Sequence, residues 1–264
     1  MFEKFEIGGC TLYHADAFDV LPTLQDGVVD NVVSDFPYGI TKFHWDKVPP
    51  LDLTWKLLEA KSKDNANYVL FGAGGFTVDL INSKRDWYRY SMTWVKNNAT
   101  MHLNANLMPM HKKEDVVLFG KPGHQKSAVF NVPDGFPQPS DVLVFPHERG
   151  NNQQGLNFHK TQKPLRLVAY LLMLYTNPGD LVLDCFAGSC TTGLAAMKLG
   201  RRFIGIEKER SFFEIGCRRL EETWQRKTAR RTTLISIPSN VPDADESVSE
   251  LVTTNESTSE EVVS

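Results

Sequence analysis

The chain has 264 residues, 41% hydrophobic and 23% charged, which suits one domain with a sizeable core and room for a smaller inserted lobe. Its apolar stretches are strand- or helix-sized and fall short of the ~20 residues of a membrane span. Met1-Phe2-Glu3-Lys4 lacks the layout of a secretory signal, so a cytoplasmic protein without a membrane partner is expected. Cys10, Cys185, Cys190 and Cys217 fit no zinc-ligand spacing and no disulfide framework, so free thiols are expected. Residues 232–264 carry seven acids and no Lys or Arg, so the net charge of −3 hides a body of about +4. A mildly basic body is compatible with nucleic-acid binding without demanding it.

Residues 5–13 read as a strand or short hairpin ending at Tyr13-His14, and Asp16 to Leu24 as a short helix. Val28 to Ser34 is a β-branched run of strand length that stops at Asp35-Phe36-Pro37-Tyr38-Gly39, where Pro and Gly force a loop. Leu51 to Ala60 read as helix, Asn67 to Phe71 as a buried strand, 76–83 as helix, and 88–95 and 115–119 as strands. From Gly120 to Gln162 the sequence is polar and rich in Pro, Gly, Asn and Gln, a loop long enough to be functional or mobile. Leu165 to Tyr175 have helical apolar spacing, and Leu181 to Phe186 form a strand. A small-residue turn, Ala187 to Thr192, leads into a helix over 193–199 that Gly200 stops. Arg202 to Ile206 is the next strand, and a last helix capped by Ser211 runs to about Arg226. Strand and helix in alternation predict a doubly wound, mostly parallel sheet, and the acidic tail, 231–264, is expected to be disordered.

Two constellations carry chemistry. Open α/β sheets hold ligands at the carboxyl ends of their strands. A strand ending at Asp184, a tight turn and a helix N-terminus offer backbone N–H groups, and Glu207, 23 positions on, can accept from two ribose hydroxyls. Ala-Gly-Ser-Cys-Thr-Thr suits a dinucleotide pyrophosphate poorly, which places a nicotinamide dehydrogenase third among the readings. The other constellation is Asp35-Phe36-Pro37-Tyr38. An aromatic amino nitrogen is a weak nucleophile because its lone pair is delocalised into the ring. Asp35 and the Phe36 carbonyl can accept its two N–H bonds, and Tyr38 can stack on a base swung out of a duplex. Without a cofactor unit beside it, the same tetrapeptide would equally suit a β-turn.

Val32 to Ile40 resembles the Asp-Pro-Pro-Tyr motif of amino-group DNA methyltransferases. Thr161-Gln162-Lys163-Pro164, Asp184 to Thr192, Gly200 to Glu207 and Arg219-Leu220 resemble that family's cofactor half. The catalytic motif precedes the cofactor motifs, as in the permuted β-class, and this order argues against the related enzymes that methylate protein glutamine. The resemblance covers about residues 8–222. It implies a Rossmann-like methyltransferase domain over 1–230 with a seven-stranded sheet, S-adenosylmethionine as cofactor, and no metal. It implies Asp35, Phe36, Pro37 and Tyr38 as catalytic residues. It implies cofactor contacts from Asp16, Asp35, Thr161, Lys163, Asp184, Phe186, Ala187, Gly188, Ser189, Thr191 and Glu207, with Lys163 and Thr161 at the methionine end. For Asp16, a helix cap is the competing reading.

Residues 96–160 are the expected target-recognition region, in which Asn and Gln can read adenine, Arg guanine, and Lys phosphates. The implied partner is double-stranded DNA; a homodimer and a cognate restriction nuclease stay open. Asp at the head of the motif leans toward adenine over cytosine. Three positions depart from the family pattern: Phe36 and Cys185 replace prolines, and Cys190 replaces a glycine. Phe36 and Cys190 motivate the alternative of a cofactor- and DNA-binding module that no longer catalyses.

Overall fold

The computed structural model describes residues 2–100, 106–107, 109–124, 139–146 and 162–235. Among the described residues nine strands form one sheet: β1 (Glu3–Ile7), β2 (Cys10–His14), β3 (Val29–Ser34), β4 (Ser62–Gly72), β5 (Tyr88–Thr100), β6 (His111–Gly120), β7 (Val142–Val144), β8 (Leu181–Asp184) and β9 (Arg202–Glu207). Their order is β1-β2-β9-β8-β3-β4-β6-β5-β7. The sheet is mostly parallel; β1 with β2, β4 with β6 and β5 with β6 run antiparallel. The helices are α1 (Ala17–Val20), α2 (Leu51–Lys61), α3 (Gly75–Ser83), α4 (Leu165–Tyr175), α5 (Thr191–Lys198) and α6 (Arg210–Ile235).

The central strands are buried on both faces, as a parallel sheet between helical layers requires; every residue of β3 and β8 is buried. Alternate side chains of β4 feed two cores. Val69 and Phe71 join a cluster containing residues of α4, α5 and α6, whereas Tyr68 and Leu70 join one containing residues of α1, α2 and α3. No described helix is long and apolar enough to cross a membrane, and all four cysteines are free.

Several boundaries differ from the sequence reading. The sheet has nine strands, not seven, because β1 closes a hairpin onto β2 and β7 adds to the far edge. β7 was hidden in a polar stretch, since only Leu143 of its three residues is buried. β4, β5 and β6 extend through charged and amide residues that carry no apolar alternation. The first turn of α6 closes on the Glu209 carbonyl, which accepts from the Phe213 N–H, so Glu209 and not Ser211 occupies the cap. α6 continues nine residues past Arg226, to Ile235, through a run of good helix formers such as Arg, Lys and Ala. Residues 231–235 are therefore helical, and the rest of the expected tail lies outside the described residues.

Candidate active site

β3 and β8 are hydrogen-bonded parallel neighbours, with Asn31 opposite Val182 and Val32 opposite Leu183. The β8–α5–β9 unit winds one way from this pair and the β3–α2–β4 unit winds the other. The crevice at their carboxyl ends is thus the switch point where doubly wound sheets hold ligands. Ser34, the last residue of β3, donates to Asp184 Oδ1 at 2.7 Å and ties the two strand ends together. A cavity of about 770 Å³ opens above them, within the range of small-molecule sites. Asp35, Phe36, Pro37, Tyr38, Asp16, Lys163, Asp184, Phe186, Ala187, Gly188, Ser189, Thr191 and Glu207 all line it. Thr161 lies outside the described residues, as does most of 96–160.

The β8–α5 turn forms a cradle. Gly188 has φ +52°, and a Cβ built on it meets nothing within 4 Å, so backbone faces open space there. Asp184 braces the turn by accepting from the Phe186 N–H at 3.2 Å; burial raises its carboxyl to about 6. Arg219, reaching from α6, donates to the Ser189 carbonyl, to Ser189 Oγ at 2.9 Å and to Thr191 Oγ1 at 3.3 Å. Glu207 takes the Gly188 N–H on one carboxylate oxygen and the Glu209 N–H on the other, both at 2.7 Å. Burial outweighs these two bonds and lifts it to about 7. Space above a glycine, a helix N-terminus and a buried carboxylate acceptor fit a nucleoside with a charged amino-acid end. Asp16 caps α1 through the Phe18 N–H at 3.0 Å, pairs with Lys208 at 2.8 Å, and lines the cavity.

Two departures from the family pattern have visible consequences. The Phe36 ring is buried and meets Phe186 edge-on, centroids 5.2 Å apart, so packing holds the loop where a proline ring would have stiffened it. Cys190 adopts φ 64° and ψ 34° at the cap of α5, the left-handed region that costs a side chain about 1–2 kcal/mol. Among the described residues it is alone in this, glycines aside.

A polar cluster stands on the other wall. Tyr38 donates to Asp35 Oδ1 at 2.6 Å, and Lys163 donates to Asp35 Oδ2 at 2.6 Å. Lys163 also pairs with Glu114 at 3.1 Å, and Lys96 pairs with Glu114 from β5. Burial raises the Asp35 carboxyl and Lys163 opposes that rise. Burial also pushes Glu114 upward, but Lys163 and Lys96 outweigh it and hold its carboxyl below the usual range. Tyr38 stacks on Phe76 at 5.2 Å and is raised well above an ordinary phenol. Glu114 was not read from the sequence, and Lys96 appeared only as one polar residue of a long segment. Both sit where a charged residue borders a buried apolar strand run, the signal that marks them. Trp94 is a core anchor whose indole N–H donates to the Phe145 carbonyl at 2.8 Å, while Trp45 and His111 line the cavity; His159 lies outside the described residues.

The profile of the DNA methylase family matches residues 29–218. The DNA adenine methyltransferase YhdJ of Escherichia coli (strain K12) is 26% identical over 243 residues, covering 80% of this chain and 82% of its own length. The solved M1.HpyAVI–SAM complex superposes with a TM-score of 0.61 at 29% identity, covering 80% of this chain and all of that one. The PvuII DNA methyltransferase, titled cytosine-N4-specific, has a TM-score of 0.67 at 18% identity, covering 92% of this chain and 91% of its own, a likeness of fold.

Proposed function

Because the chain belongs to the DNA methylase family, we propose that it transfers a methyl group from S-adenosylmethionine to the exocyclic amino group of adenine in a specific sequence of double-stranded DNA. The observation that carries this reading is the placement of Asp35 directly after β3, a strand hydrogen-bonded to the one that bears the cradle, in the same cavity as Glu207. The name of the M1.HpyAVI–SAM complex and the fit of the cradle support S-adenosylmethionine. The name of YhdJ and the Asp at the head of the motif support adenine. A similar fold serves the PvuII enzyme, so architecture does not separate adenine from cytosine.

When bound, S-adenosylmethionine supplies an electrophilic methyl on a sulfonium. Phe186, Ala187, Gly188, Ser189 and Thr191 hold its methionine portion and Lys163 borders it, with Thr161 assigned to the same end on the family motif alone. Asp184 braces that turn, Glu207 accepts from the ribose hydroxyls, and Asp16 borders the adenine. Asp35 and the Phe36 carbonyl accept the two N–H bonds of a flipped base, turning the amino lone pair toward the methyl group. Pro37 fixes the loop and Tyr38 offers a ring face. Residues 96–160 read the DNA site, and the chain acts in the cytoplasm. Long-read sequencing of DNA from cells expressing the chain, beside an Asp35→Ala control, tests the reaction, the base and the recognition of a site. Methylated adenine at one short motif, absent from the control, is expected. Methylation of the cytosine amino group overturns the choice of base. No modified base, from soluble protein that binds S-adenosylmethionine, favours the inactive module.

A further inference from the structure

Glu114 belongs to neither sequence motif, yet it faces the same donors as the carboxylate that the proposed reaction uses. Tyr38 and Lys163 occupy both oxygens of Asp35, each at 2.6 Å. The target amino group gives one N–H to Asp35 and the other to the Phe36 carbonyl, so on Asp35 it shares or displaces one of the two donors already in place. The same two donors lie against Glu114 Oε2, Lys163 at 3.1 Å and Tyr38 at 3.4 Å. The other oxygen of Glu114 is held by Lys96, whose side chain is 7% exposed. We infer that Glu114, fixed by Lys96, is a positioning residue for methyl transfer: it holds whichever of Tyr38 and Lys163 the target N–H displaces from Asp35.

This rests on the methyl-transfer reading above, and the charge count supports it. Asp35 and Glu114 balance Lys163 and Lys96. As the amino nitrogen forms its new bond to carbon, the carbon–sulfur electron pair returns to sulfur and the positive charge moves to nitrogen. One N–H proton then leaves along its hydrogen bond to Asp35 and on to water. Without Glu114 two ammonium groups face one carboxylate, and a cation must form beside a net positive charge. Around Asp35 the charged and titratable groups among the described residues are Tyr38 on its own loop, Lys163 ahead of α4, Glu114 on β6 and Asp184 at the end of β8, with Lys96 on β5 acting through Glu114.

The test compares the full-length wild type with Glu114→Gln and with Glu114→Gln/Lys96→Met, at saturating S-adenosylmethionine and DNA. Removing both partners of a buried pair costs less than removing one, so the double variant preserves a folded protein if the single one does not fold. Glu114→Gln is expected to lower kcat roughly a hundredfold with little change in cofactor affinity. Its acid limb of kcat moves to lower pH, because Glu114 contributes to the raised carboxyl of Asp35. The double variant recovers at least about tenfold of the lost rate, a step of about 1.4 kcal/mol. An active wild type whose Glu114→Gln keeps kcat and acid limb overturns the role of Glu114 alone. A double variant no faster than the single one overturns the charge argument. A wild type that transfers no methyl group overturns the activity itself and this role with it.

Discussion

Lys163 Nζ donates to Asp35 Oδ2 at 2.6 Å across 128 residues of sequence. The contact joins the loop after β3 to the residues that precede α4, so the two motifs meet through a charge pair as well as through neighbouring strands. Lys163 is 8% exposed and the Asp35 side chain 30%, since Asp35 faces the open cavity. A pair so enclosed contributes chiefly by compensating its own burial.

Replacing Lys163 by Met leaves Asp35 and Glu114 facing each other with Lys96 as their remaining ammonium group in the cluster. The Asp35 carboxyl then rises further, so activity is lost at higher pH than in wild type, the opposite of the shift expected for Glu114→Gln. Stability falls by about 3 kcal/mol, the lower end for breaking a buried pair. A denaturant midpoint at unchanged slope measures the second effect, and the acid limb of kcat measures the first. A midpoint within about 0.5 kcal/mol of wild type shows that Lys163 is not the compensating charge.

Glu207 provides a pH signature for cofactor binding. Burial lifts its carboxyl from 4.5 to about 7. The folded state therefore holds more protons than the unfolded chain between those values, and its stability declines as pH rises through that window. Ribose hydroxyls donate best to the ionised form, so S-adenosylmethionine affinity falls as pH drops below about 7. Glu207→Gln removes the pH dependence and weakens binding by about 1.5–3 kcal/mol, as expected for lost charged hydrogen bonds. It also flattens the decline in stability. Calorimetric titrations from about pH 6 to about pH 8 decide this, and an equal pH dependence in wild type and variant removes Glu207 from the ribose.

The Phe36 ring substitutes packing for proline rigidity, and this has a measurable cost when undone. Phe36→Pro restores the family pattern and keeps the carbonyl, but it deletes a ring that is 2% exposed and packed on Phe186. The loss is about 2–3 kcal/mol, below the 3–5 kcal/mol of Phe→Ala because proline refills part of the space. Methyl transfer is retained. Greater stability in Phe36→Pro would show that the loop is limited by φ freedom instead.

Legibility in the sequence followed locality. Asp35, Gly188 and Glu207 were readable because each sits at the end of a short apolar run, where strand, turn and helix succeed one another along the chain. The cradle's position beside Asp35 needed only the rule that parallel strands alternate with helices. Glu114 and Lys96 were not legible as a pair, because their meeting depends on the antiparallel register of β5 and β6, in which Trp94 faces Glu114 and Val95 faces Lys113. Nothing in either segment specifies that register by itself. The pairing of Asp16 with Lys208 was hidden for a related reason: Lys208 comes from beyond β9, 192 residues away.

Cys190 and Gly193 form a steric couple that can be read as a double-mutant cycle. A Cβ on Gly193 would lie 2.6 Å from Cys190 Sγ and 2.7 Å from Phe203 Cε1, closer than real contacts allow. Alanine gains about 1 kcal/mol over glycine in a helix interior, yet overpacking of this kind costs about 1–3 kcal/mol, so Gly193→Ala is expected to be net destabilising. Cys190→Gly relieves the left-handed backbone and opens the space that the buried thiol fills, two effects of similar size and opposite sign. That single change stays within about 1 kcal/mol of wild type. In the Cys190→Gly background one of the two obstacles is gone, so Gly193→Ala costs less, with an interaction of at least about 0.5 kcal/mol. Additive midpoints would place the whole obstruction on Phe203 and leave Cys190 a bystander to the packing of α5.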